Sequence, residues 1–107
     1  MKSLLATALF ATTALACTAA SADEYTLTLK EHHFTPESIT LPAHQKVELT
    51  VTNLQTSPAE FESEDLDREK VVGAGKSIVV KLGPLTPGTY DFVDDFHRDS
   101  KGTIVVK

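Results

Sequence analysis

Gly88-Thr89-Tyr90-Asp91-Phe92-Val93-Asp94-Asp95-Phe96-His97, followed three residues later by Lys101-Gly102-Thr103-Ile104-Val105-Val106, decides how this chain folds. Tyr90 and Phe92 share one side of an extended segment, and the second stretch is rich in β-branched residues. That pattern predicts two strands joined by an acidic turn. The same period of two recurs upstream. Tyr25, Leu27 and Leu29 alternate with threonines, and Val47–Asn53 and Ser77–Leu82 repeat the arrangement. Turn-forming residues separate these runs: Pro36, Pro42, Asn53, Pro58, Gly73-Ala74-Gly75, Gly83-Pro84 and Pro87-Gly88. Short alternating strands at this spacing predict an all-β sandwich with Greek-key connections. The acidic segment Glu60 to Lys70 is compatible with a short helical turn or an edge strand. There are no internal repeats.

The first residues read as a leader rather than as part of the fold. Lys2 is followed by an apolar run from Leu4 to Ala16 and by the small residues Ala20-Ser21-Ala22. This pattern predicts a signal peptide over 1–22, cleavage after Ala22 and export to the periplasm. Ala14-Leu15-Ala16-Cys17 also forms a loose lipobox, which gives an alternative lipid-carrying N-terminus at Cys17. The remaining domain, 23–107, contains no cysteine, so it has neither a disulfide nor a thiolate ligand. Its nine basic and fifteen acidic residues leave a net charge of −6. That balance disfavours nucleic acid and anionic lipid and suits cations. No membrane-spanning segment is expected after cleavage.

Several strings resemble the cupredoxin family. His33-Phe34-Thr35-Pro36-Glu37-Ser38-Ile39 with Leu41-Pro42-Ala43-His44 is similar to its opening F-x-P-x-x-I-x-V-P-A-G, with His44 in place of the glycine. Leu49–Asn53 and Pro58-Ala59-Glu60-Phe61 resemble V-x-N…P-H-E-F, and Leu85–Phe92 resembles L-x-P-G-x-Y-x-F. The resemblance implies a cupredoxin-like β-sandwich over nearly all of 23–107. It also implies a changed metal site. A blue-copper centre needs two histidines and a cysteine, usually with an axial methionine. Here Ala59 takes the first histidine position, Asp94 lies near the cysteine position, Lys101 falls about where the methionine belongs, and only His97 survives. A type 1 blue-copper site is not expected.

A narrower group is more similar: the periplasmic FtrB-like and EfeO-type cupredoxin domains of bacterial ferrous-iron uptake. Pro58-Ala59-Glu60-Phe61-Glu62-Ser63-Glu64-Asp65-Leu66-Asp67-Arg68-Glu69-Lys70 resembles P-E-E-F-E-S-x-D-L-x-R-E-K. Asp95-Phe96-His97 resembles E-F-H, and Lys30-Glu31-His32 resembles K-D-H. This likeness implies binding of iron or copper, help with Fe(II) oxidation, and delivery to an inner-membrane iron permease or a periplasmic iron-binding protein.

The ligand types agree with that implication. Carboxylates are hard donors, and imidazole suits iron, copper and zinc. Glu60 and Glu62 flank Phe61 and point away from its face. His97 and Asp95 follow the Tyr-x-Phe strand, and His32 follows the first strand. The candidate metal set is His32, Glu60, Glu62, Asp95 and His97, with Asp94 and His33 in reserve. Simpler roles stand beside this one. The glutamates can form a solvated face with Arg68 and Lys70, Asp94 and Asp95 can cap a turn, and His32, His33 and His44 can be ordinary histidines. Tyr25, Phe34, Phe61, Tyr90, Phe92 and Phe96 read as core. No Ser-His-Asp nucleophile motif and no phosphate-binding glycine loop is present. A metal-free interaction module and a periplasmic copper chaperone are the competing functions.

Overall fold

The computed structural model describes residues 23–107; the expected leader, 1–22, lies outside them. Nine strands run in order: β1 (Asp23–Lys30), β2 (His33–Thr35), β3 (Ser38–Leu41), β4 (Val47–Asn53), β5 (Ala59–Ser63), β6 (Arg68–Val72), β7 (Ser77–Leu82), β8 (Gly88–Asp94) and β9 (His97–Val106). They form two sheets, β2-β1-β4-β7 and β3-β9-β8-β5-β6. The expected all-β sandwich is observed. The segment after Glu60 folds as the β5–β6 hairpin, with β6 as an edge strand and a single hydrogen-bonded turn at Glu64–Asp67. No helix among the described residues is long and apolar enough to cross a membrane.

Alternation places the core. β4 reads buried at Val47, Leu49, Val51 and Asn53, and β5 at Ala59, Phe61 and Ser63. Phe92 stacks edge-on against Phe34 with ring centroids 5.0 Å apart, and lies 5.4 Å from Phe61. Aromatic contacts of this kind add about 0.5–1.5 kcal/mol each beyond the area they bury. Tyr90 packs against this core, and its hydroxyl donates to the Thr86 carbonyl at 2.7 Å, fixing the β7–β8 connection. Phe96 departs from the sequence reading: it is 48% exposed, because it sits in the turn between β8 and β9, beyond the sheet.

Two features of the frame set up the site. The β8–β9 ladder is regular from Gly88↔Val106 to Val93↔Lys101, then jumps to Asp94↔His97. Residues 98–100 of β9 therefore have no partner between those two pairs. At the opposite flank the two edge strands β6 and β7 are tied by side chains. Arg68 Nε donates to the Lys81 carbonyl at 3.1 Å, and Lys70 Nζ donates to the Val79 carbonyl at 3.0 Å.

Candidate metal centre

Ala59, Phe61 and Ser63 of β5 turn inward, so Glu60 and Glu62 share the outer face of the five-stranded sheet. The turn after β8 brings Asp95 to them, with its backbone N–H donating to the Glu60 carbonyl at 2.9 Å. Carboxylate oxygens of Glu60, Glu62 and Asp95 lie within 4.8 Å of one another. Glu69 stands opposite Glu62 in the β5–β6 ladder and adds a fourth carboxylate. Arg98 pairs with Asp95, and its Nη1 lies 3.5 Å from Glu62 Oε2. That Glu62 oxygen is enclosed and makes no hydrogen bond.

Crowded carboxylates resist ionisation. Burial, then hydrogen bonding with and repulsion from Glu69 and Asp95, push Glu60 up to about 7. Hydrogen bonding with Asp95, then burial, raise Glu62, while Arg98 pulls it down. A carboxyl raised in the folded state favours folding below its ordinary value of 4.5, and the benefit is lost as pH climbs through about 7. The metal-free protein is thus expected to melt at a lower temperature at pH 8 than at pH 5.5. A bound cation needs the ionised form, so metal should tighten with rising pH and restore the loss at pH 8. Thermal melts at both pH values, with and without ion, measure this. An apo melting point that rises from pH 5.5 to 8 contradicts the assignment.

The two histidines meet on the other side of the same turn. The rings of His32 and His97 lie 4.6 Å apart at 48°. His97 Nδ1 is 3.6 Å from Asp94 Oδ2, and Asp94 is fully buried. Asp94 Oδ1 accepts the backbone N–H groups of Glu60 and Phe96, so the turn-capping role is present. His32 is held by a hydrogen bond from its backbone N–H to Gln55 Oε1 at 3.0 Å. Ser100, also buried, points inward within the unpaired 98–100 segment.

His32 occupies a strained position. Glu31 (φ 49°) and His32 (φ 63°) form the two-residue turn between β1 and β2, and both are left-handed. Asn-Gly is the natural occupant of such a turn. Each ordinary residue there costs about 1–2 kcal/mol. The double variant Glu31→Asn/His32→Gly should therefore gain about 1–2 kcal/mol, read as a rise in Tm, while losing the imidazole. An unchanged or lower Tm removes the strain argument.

The five expected ligands thus fall into two groups. Glu60, Glu62 and Asp95 converge on the outer face, and His32 and His97 pair beside Asp94. His33 is exposed on β2, and His44 lies in the β3–β4 connection, bonded to the Leu85 carbonyl. Lys101 is exposed on the outer face, opposite Val93 in the β8–β9 ladder, while Ser100 turns inward. Sequence reading missed Glu69 and Arg98. Counting the β5–β6 hairpin across its turn finds Glu69, whereas Arg98 depends on the break in the β8–β9 ladder.

The profile described as Cupredoxin-like domain matches residues 3–106. The chain belongs to the cupredoxin-like family. It is 42% identical over 84 residues to an uncharacterized protein of Rickettsia prowazekii, covering 78% of this chain and 67% of that one. Among solved structures it is similar to the metal-binding domain of the Streptococcus pneumoniae Cu(I)-exporting P-type ATPase CopA. That match has a TM-score of 0.71 and 19% identity over 78% of this chain and 84% of that domain. Auracyanin from Roseiflexus castenholzii gives 0.68 and 15% identity over 82% and 99% of the two chains. At these identities the likeness is one of fold.

The cupredoxin-like frame holds donors that do not fit a blue-copper ion. Residues 23–107 contain no cysteine or methionine, and Ala59 is a buried apolar residue. The outer face fits a hard cation. Oxygens bound to one six-coordinate ion at about 2.0–2.6 Å stand about 3–5 Å apart, which the 4.8 Å limit on Glu60, Glu62 and Asp95 satisfies. The Glu62 oxygen beside Arg98 makes no hydrogen bond, so it keeps a lone pair for such an ion.

Proposed function

We propose that this cupredoxin-like protein is a periplasmic metal binder serving iron uptake. The convergence of Glu60, Glu62 and Asp95, with an enclosed Glu62 oxygen that makes no hydrogen bond among them, carries the reading. Anionic oxygen donors hold Fe(III) more tightly than Fe(II). They favour release of an electron from bound Fe(II) to an external acceptor and retention of the product. The partner is an inner-membrane permease or a periplasmic iron-binding protein. Its net negative surface suits cation capture, and the histidine pair offers nitrogen donors acceptable to iron and copper alike.

The test is calorimetric titration of 23–107 with Fe(II) under anaerobic conditions, and with Mg(II), Cu(II) and Zn(II). The parent should bind iron, and Glu60→Gln/Glu62→Gln should weaken it at least tenfold. Cu(II) should give no intense blue absorption, because that band requires a thiolate ligand. Binding no tighter than millimolar for every ion favours the interaction module instead. Preference for copper, insensitive to the two glutamates, favours the chaperone.

A further inference from the structure

We propose that Asp94 is a positioning residue for His97: its buried carboxylate selects the Nδ1–H tautomer and leaves Nε2 free to face a ligand beside His32. The idea rests on His97 being a metal ligand, but its geometry stands without an ion.

Asp94 ends β8 and has no solvent exposure. Its two oxygens are treated differently. Oδ1 accepts from Glu60 N at 2.9 Å and from Phe96 N at 3.0 Å. Those bonds come from β5 and from the β8–β9 turn, so they fix the plane of the carboxylate. Oδ2 makes no hydrogen bond, and the polar atom facing it is His97 Nδ1 at 3.6 Å. A buried oxygen left without a hydrogen bond is costly, so Oδ2 selects for a donor. An ionised carboxylate only accepts, and a neutral imidazole carries a single proton. That proton is therefore drawn to Nδ1, and the lone pair stays on Nε2. The His97 side chain is 45% exposed, which leaves the ring free to close the remaining gap. The neighbouring His32 ring at 4.6 Å provides a second nitrogen donor next to it. Ligating histidines commonly donate their other ring N–H to a carboxylate, which fixes ring orientation and raises ligand basicity.

Long-range 1H–15N NMR of the metal-free protein at pH 8 reads the tautomer directly. The parent should show His97 as Nδ1–H. Asp94→Asn keeps an oxygen for Glu60 N and Phe96 N but presents an NH2 group to His97, so the proton should move to Nε2. Zn(II) affinity should then fall about 10–100-fold. A parent in the Nε2–H form, or no tautomer change in Asp94→Asn, overturns the proposal. If Asp94→Asn does not fold, the parent spectrum alone decides. A switched tautomer with unaltered Zn(II) affinity also overturns it, because His97 is then no ligand for Asp94 to position.

Discussion

Gly102→Val is expected to leave the protein unable to fold, and Gly102→Ala to cost about 3 kcal/mol or more, at the upper end for overpacked cores. Gly102 pairs with Phe92 across the β8–β9 ladder. A Cβ at this position would run into the Phe92 ring and approach the Glu37 carbonyl oxygen to 2.6 Å. Neither neighbour can yield. Phe92 is wedged between Phe34 and Phe61, and the Glu37 carbonyl accepts the Thr103 N–H at 2.8 Å where β3 joins β9. Relief of the clash would break the parallel β3–β9 pairing. A domain of this size has only about 5–10 kcal/mol to lose. Circular dichroism and thermal melts of the two variants measure the effect; a Gly102→Ala protein melting within a few degrees of the parent contradicts it.

The second large effect falls on Asn53. This side chain has no solvent exposure. Its Nδ2 donates to Ser57 O at 2.8 Å and lies 3.3 Å from both Val72 O and Gly73 O, while Oδ1 accepts from Gln55 N at 3.0 Å. Asn53→Ala should cost about 3–4 kcal/mol, since each buried group left unpaired costs about 1–3 kcal/mol. Asn53→Asp should be at least as harmful, because it sets oxygens against three carbonyls. The damage reaches the site through Gln55, whose side chain anchors the His32 N–H. The His32–His97 contact should therefore loosen before the core melts, seen as separate histidine NMR signals changing at lower temperature than the methyl signals. A Tm for Asn53→Ala close to the parent's contradicts this role.

The sandwich was readable because period two needs only local counting. Val47–Asn53, Ser77–Leu82 and Tyr90–Phe92 all bury or half-bury the alternating positions that the pattern names. Glu60 and Glu62 follow from the same rule, given Phe61 in the core. The rule fails where the ladder breaks. Counting straight through the β8–β9 turn puts Phe96 in the core with Tyr90 and Phe92, whereas the turn leaves Phe96 in solvent. The division of the five ligands has the same origin. Adjacent Asp94 and Asp95 face opposite sides of the sheet, one toward His97 and the other toward Glu60 and Glu62. Resemblance to the cupredoxin family supplied the fold and the surviving histidine. It could not supply Glu69, which reaches the carboxylates through its register with Glu62.

The bonds from Arg68 and Lys70 to the backbone of β7 have a consequence for behaviour at high concentration. An open strand edge is a template on which a second chain can extend the sheet, and proteins suppress this by placing cations along it. Here the carbonyls of Val79 and Lys81 are already occupied by the side chains of β6. That flank has two fewer acceptors to offer an incoming strand, which guards the protein there against sticking to its own copies.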